Sequence, residues 1–210
     1  MAKIGMRYPV AMKISGYDET GMPVYENGIY IGKGVKADVN FETSEGELYA
    51  DDTLAEYDSC VIGYSGSLET DGFGTIKSGA SETKTSVITY ITGAKSVEKG
   101  SEGTFEESYE TTGESSPYCG LVYIKCEVVE GVRKWYVYHC YKAAFKMPNE
   151  SDSTKTKSIN FGTSSIDFTG MGIMKAGAED PVFTKCYLCS SYEKAVALLK
   201  SIGKIQAAAE

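Results

Sequence analysis

The stretch CGLVYIKCEVVEGVRKWYVYHCYKAAF, Cys119 to Phe145, decides the fold. Two apolar and aromatic runs flank Glu130-Gly131, a pair suited to a tight turn between antiparallel strands. Closing the chain on that turn sets Glu127 opposite Lys134, Cys126 opposite Trp135 and Ile124 opposite Val137. Side chains alternate along a strand, so one face gathers Val122, Ile124, Cys126, Val128, Trp135, Val137 and His139. The other gathers Lys125, Glu127, Lys134, Tyr136, Tyr138 and Lys142. The pattern predicts a long two-faced hairpin, with an external partner covering Tyr136 and Tyr138. Cys126 and Cys140 fall on opposite faces and should not bridge.

Outward from this hairpin the hydrophobic period stays near two. Val35, Ala37, Val39 and Phe41 alternate with polar neighbours, as do Cys60, Ile62, Tyr64, Gly66 and Leu68, and both segments read as strands. Ser158–Gly162, Ile166–Ile173 and Pro181–Leu188 are further candidate strands. The period then changes. Ala195, Leu198, Leu199 and Ile202 recur at helical spacing, Ser190 with Glu193 forms a capping-box pattern, and Gly203 is a plausible stop. A helix over about 191–202 is expected. Thr83–Thr92 carries both a helical apolar face and many β-branched residues; Gly93 after it favours a short helix. Asp71–Gly79, Thr111–Pro117 and Pro148–Lys157 read as surface loops.

A chain of 210 residues, 42% hydrophobic and carrying 16 tyrosines, has apolar surface enough for one folded domain. No apolar run approaches the roughly 20 residues of a membrane-spanning helix, and Met1–Val10 lacks a signal peptide's hydrophobic stretch. Synthesis in the cytosol is expected, with the six cysteines reduced. The formal charge is −8, and Asp38–Asp58 holds eight carboxylates without one Lys or Arg. Ser101–Ser116 is also acidic. Gripping nucleic acid takes Lys and Arg against phosphates, so this balance argues against a DNA-binding protein of the usual kind.

The chemistry-bearing residues point away from catalysis. His139 is the single histidine, without a second to complete a zinc site, and reads as a core or interface residue. Cys186-Tyr187-Leu188-Cys189 is a CxxC ahead of a helix, yet neither a βαβ frame nor a second ligand pair accompanies it. Its thiols are expected to fill apolar space. Asp51-Asp52 with Glu47 and Glu56 reads as a solvated acidic loop rather than a metal or acid-base site. The pairs Gly32-Lys33-Gly34 and Gly72-Phe73-Gly74 lack the spacing of a phosphate-binding loop and mark turns. The expectation is a non-enzyme with no cofactor and no metal.

Several segments resemble one family. They are the opening Ala2-Lys3-Ile4-Gly5-Met6-Arg7-Tyr8-Pro9-Val10, then Ile31-Gly32-Lys33-Gly34-Val35-Lys36-Ala37-Asp38-Val39, then Leu48-Tyr49-Ala50-Asp51-Asp52-Thr53-Leu54-Ala55-Glu56. Ser116-Pro117-Tyr118-Cys119-Gly120 and Tyr138-His139-Cys140-Tyr141-Lys142-Ala143-Ala144-Phe145 complete the set. Over essentially its whole length the chain resembles the major tail proteins, or tail tube proteins, of long non-contractile-tailed bacteriophages. Asp71–Gly79 and the CxxC depart from that pattern.

The resemblance implies a mainly β fold of two packed antiparallel sheets, a tail-tube-type β-sandwich or barrel, with one or two short flanking helices. It implies one domain over 1–210, an N-terminal arm over about 1–20 and a long inter-subunit loop over about 42–58. It further implies a structural virion protein that polymerises as stacked hexameric rings into a tube, the conduit for DNA delivery. Tyr49, Ala50, Asp51, Asp52, Leu54, Tyr8 and Pro9 would then be assembly contacts. Other copies, tail terminator, distal tail and tape measure proteins would be the partners, in the host cytoplasm during assembly and in the virion tail afterwards. Viral DNA would pass a negative lumen without specific binding, and no membrane would be involved. The rival reading is a monomeric β-sandwich that binds a ligand such as a carbohydrate; it accounts for the strands and the tyrosines only.

Overall fold

In the computed structural model the chain is described over residues 2–50, 53–73, 75–77, 84–98, 107–111, 113–148 and 162–205. In chain order the elements are β1 (Ala2–Tyr17), β2 (Pro23–Tyr25), β3 (Ile29–Tyr30), β4 (Gly34–Ala50), β5 (Thr53–Thr70), β6 (Thr75–Lys77) and β7 (Lys84–Ser86). There follow α1 (Val87–Thr92), β8 (Lys95–Glu98), β9 (Glu107–Glu110), β10 (Tyr118–Val129), β11 (Val132–Phe145), β12 (Ser164–Gly170), β13 (Thr184–Cys189) and α2 (Tyr192–Ile202). The protein is mainly β and antiparallel, as its alternation predicts. Nine strands join in the order β2-β1-β10-β11-β12-β5-β4, with β3 on β1 and β13 on β11; β6–β7 and β8–β9 are separate ribbons. The main strands thus share one hydrogen-bonded order.

The β10–β11 hairpin is its centre. Its turn residues Glu130 and Gly131 have φ of 51° and 79°, the left-handed pair that a twisted two-residue hairpin turn requires. The pairing Glu127↔Lys134, Cys126↔Trp135, Ile124↔Val137 is the register read from the sequence. Cys126 and Cys140 are both free thiols.

Both faces of the hairpin are covered by the chain itself. Val122, Ile124 and Val137 pack with Val10 and Met12 of β1 and Ala195 and Leu199 of α2. On the opposite face Leu121, Tyr123, Tyr138 and Cys140 join Leu68, Ile166 and Phe168 from β5 and β12 and Val87 and Ile91 from α1. This corrects the expectation of an external partner over Tyr138, whose ring is buried and takes the Lys125 ammonium at 3.7 Å from its centroid. Tyr136 is half-buried.

Lys142 does not share the face of Tyr138 either. Between the pairs Cys119↔Ala143 and Leu121↔Cys140, β10 advances two residues and β11 three, a bulge that breaks the alternation. The Lys142 ammonium lies instead over Tyr118 and Tyr17. Tyrosines satisfy the carbonyls at this bulge. The Tyr25 hydroxyl donates to Tyr141 O at 2.7 Å, and the Tyr64 hydroxyl donates to Lys142 O at 2.9 Å. Burial holds both phenols protonated, raising each well above the usual tyrosine value.

A second bulge lies in β1. Between Met6↔Lys125 and Val10↔Val122, β1 advances four residues against three, and Tyr8 within it has φ of 54°. The extra residue lets Met6 and Ala11 enter one core cluster while Val10 and Met12 enter the other. The expected N-terminal arm is therefore a strand of the main sheet over Ala2–Tyr17.

The C-terminal helix occupies the expected span, but its cap is Ser191, one residue after the Ser190 of the predicted box. Ser191 Oγ accepts from Lys194 N at 3.3 Å. Thr83–Thr92 resolves into both alternatives: β7 up to Ser86, then α1, closed by Gly93 at φ 78°. Thr75–Lys77 is a strand where a loop was expected. Of the candidate strand Ser158–Gly162 all but Gly162, and of the expected loop Pro148–Lys157 all but Pro148, lie outside the described residues.

Candidate assembly surface

The largest departure from expectation concerns residues 42–58, read as a loop. Of these, 42–50 belong to β4 and 53–58 to β5, two strands paired antiparallel out to Tyr49↔Leu54 and Ala50↔Thr53. Beyond Phe41 and Gly63, every described residue of this arm is exposed. Alternation still sorts its side chains. Phe41, Thr43, Glu45, Glu47 and Tyr49 lie on one face with Val61, Ser59, Tyr57 and Leu54 across from them. This face continues the core face of the sheet, because Ala37 and Val39 on the same parity pack against Leu68 and Phe168. Tyr64, paired with Phe41, is the last buried ring of the series.

Among the described residues nothing covers the large side chains of this face: Phe41 is 48% exposed, Tyr57 53%, Leu54 50% and Tyr49 63%. The arm's outer strand β4 ends the sheet among the described residues, an edge of the kind that offers backbone groups for pairing. From Ala37 to Phe73 there is no Lys or Arg.

The expected contact residues fall into two groups that the fold keeps apart. Tyr49, Ala50 and Leu54 sit at the tip of the arm, where Thr53 Oγ1 donates to Ala50 O at 2.9 Å and the Tyr49 hydroxyl donates to Glu47 Oε2 at 3.0 Å. Asp51 and Asp52 lie outside the described residues. Tyr8 and Pro9 lie at the β1 bulge: Pro9 is buried, and Tyr8 is exposed, hydroxyl to hydroxyl with Tyr192 at 2.9 Å and edge-on to Tyr30.

Beside Tyr8 the start of β4 comes against β1 and leaves a groove of about 920 Å3. Its lining draws on three separate stretches, from Met6 to Tyr8, from Tyr30 to Gly34, and Asp71 with Gly72. Among the lining residues, the Arg7 guanidinium is 5.8 Å from the Trp135 ring and 5.7 Å from that of Tyr192. The Lys33 side chain is 91% exposed and 3.8 Å from the Asp71 carboxylate. Sequence reading missed this groove. The one local signal was Pro9, which inside a strand marks an edge or a bulge.

The groups weighed for catalysis are kept apart or held inert. His139 is buried between Tyr25 and Tyr141, its Nε2 without a hydrogen-bond partner; burial, with Lys185 nearby, pushes its pKa down to about 4. Cys186 and Cys189 are in strand β13, opposite Tyr138 and Trp135, so three residues of spacing put them on opposite faces. Cys186 is exposed rather than filling apolar space, and burial raises both thiols, the reverse of an activated pair. Glu47 pairs with Tyr57 and Glu56 with Leu48, so these carboxylates also occupy opposite faces. No known protein family's sequence pattern matches the chain, and no curated protein matches its sequence.

Proposed function

We propose that this chain is a self-assembling structural subunit, a tail tube protein that polymerises as stacked hexameric rings into a bacteriophage tail. The observation that carries this reading is the β4–β5 arm. A hairpin with Phe41, Tyr49, Leu54 and Tyr57 exposed on one face and, among the described residues, no strand on its outer edge and no layer over it is a poor solution for a solitary protein, because such surfaces seek pairing. In a closed assembly the same surface is buried by neighbours, and the edge finds a partner. The absence of Lys and Arg along the arm suits a conduit through which DNA slides without being held. Tail terminator, distal tail and tape measure proteins would meet such a tube, which would form in the host cytoplasm and end in the virion.

The test is negative-stain electron microscopy of the purified protein over a concentration series, beside a sizing column. Hollow rings or tubes of uniform diameter are expected. A particle that stays monomeric throughout and binds an oligosaccharide saturably would overturn the reading in favour of a ligand-binding module.

A further inference from the structure

We propose that Asn27-Gly28 is a modification site, a latent deamidation centre held shut by the end of α2 and by Tyr90 of α1. Asparagine followed by glycine is the pair most prone to this chemistry, because no side chain hinders the approach of the next amide nitrogen to the carboxamide carbon. It is the only Asn-Gly in the chain; the other asparagines precede Phe41, Glu150 and Phe161. Gly28 N loses its proton and attacks Asn27 Cγ. The new C–N bond closes a succinimide ring, and the side-chain nitrogen leaves as ammonia. Water then opens the ring at one carbonyl or the other, leaving aspartate or isoaspartate at position 27.

The site lies between β2 and β3, and Asn27 is exposed, so water and base reach it. What is held is the peptide unit itself. Its carbonyl, Asn27 O, accepts from the Tyr90 hydroxyl at 2.9 Å, and its N–H, on Gly28, donates to Gly203 O at 2.8 Å. The nucleophile is thus occupied, and turning it toward Cγ disturbs both bonds. Gly203 is fastened in turn. Its N–H donates to Leu199 O at 2.8 Å, and the neighbouring Lys204 Nζ donates to Tyr25 O at 2.5 Å. The fit is close, since a Cβ on Gly28 would stand 2.4 Å from Gly203 O and 2.7 Å from Val10 Cγ1. The Gly28 amide is therefore released when the end of α2 lifts, a local opening of the kind that helix ends undergo well short of global unfolding.

Opening then leaves a permanent mark. Isoaspartate routes the backbone through the former side chain and adds a methylene ahead of Gly28. The Gly28 N–H no longer meets Gly203 O, and the helix end cannot close in the same place. The site is a one-way record of how often α2 has let go.

The test ages the whole chain, dilute and at mildly alkaline pH, both folded and in urea, and measures isoaspartate at position 27 by tandem mass spectrometry. Conversion should be ready in urea and slower on the order of tenfold or more in the folded chain, in proportion to the fraction open. Asn27→Gln, whose longer side chain closes the ring far more slowly, should lose the signal in urea. Two variants loosen the lock: Tyr90→Phe removes the hydroxyl bond alone, and Leu199→Ala undercuts α2 from a fully buried position. Each, confirmed folded by its melting transition, should age faster than the wild type. Aged wild type returned from urea should melt below a fresh sample taken through the same step. Equal rates in the folded and the unfolded chain, or folded variants that both age at the wild-type rate, would overturn the proposal. So would an isoaspartate-bearing chain that regains the wild-type melting transition.

Discussion

Two long antiparallel hairpins dominate this molecule, and they end differently. β10–β11 is covered on both faces by its own chain, by α2 on one side, where β1 lies beside it in the sheet, and by residues of β5, β12 and α1 on the other. β4–β5 begins the same way, with Ala37, Val39, Tyr64 and Leu68 in the core, and then runs past the edge of the body with both faces in water. Backbone pairing is continuous in both. Hydrogen-bonded strands alone do not make a stable element in water, since a lone two-stranded hairpin is marginal. The first hairpin has its stabilising layers; the arm of the second extends beyond them, and on the proposed reading a neighbouring copy supplies its contacts.

That contrast sets the scale of what substitutions do. Ile124→Ala, at a fully buried site of the central hairpin, should cost about 2–5 kcal/mol in urea denaturation of the dilute protein. A loss under about 1 kcal/mol would mean that the two covering layers are loosely packed. His139 gives the same hairpin a pH dependence. Its folded pKa of about 4 lies below the ordinary 6.5, so the unfolded chain takes up the proton first as pH falls. The stability of the neutral buried imidazole is complete above about pH 6.5 and drains away toward pH 4, by up to about 3 kcal/mol. Denaturation midpoints between those pH values should follow this slope, and His139→Phe should flatten it.

Smaller effects come from the turn and the arm. Glu130 holds a left-handed φ of 51° that suits Asn far better, so Glu130→Asn should raise the melting temperature, with a gain of about 0.5–1 kcal/mol. Tyr57→Ser, on the exposed arm, should move the stability of the isolated chain by less than about 0.5 kcal/mol. A large destabilisation there would show that the arm is tied to the body after all.

The sequence carried the central hairpin to the residue because a glycine-bearing turn fixes register and alternation fixes faces. It could not show that both faces are covered, since alternation reads as one face in and one out unless the covering layers are known. This is why Tyr138 was assigned an external partner. Parity failed at Tyr141-Lys142 because a bulge adds a residue without leaving a composition signal there; at Tyr8-Pro9 the proline was such a signal. The arm reads as a loop in the sequence for a related reason. In β4 the face that continues the core face carries Thr43, Glu45 and Glu47, so the apolar period that marks a strand is missing there. Of the candidate contacts, Tyr8, Pro9, Tyr49, Ala50 and Leu54 came from family resemblance, while Arg7, Tyr30 and Lys33 meet only through folding of distant segments.

Amide hydrogen exchange on dilute and concentrated samples, read over 41–50 and 119–129, compares the two hairpins directly. Exchange across 41–50 should slow sharply as the protein assembles, while 119–129 stays protected and unchanged in both. Equally fast exchange along 41–50 at every concentration, in samples that do assemble, would contradict the claim that this arm is where the molecule meets its neighbours.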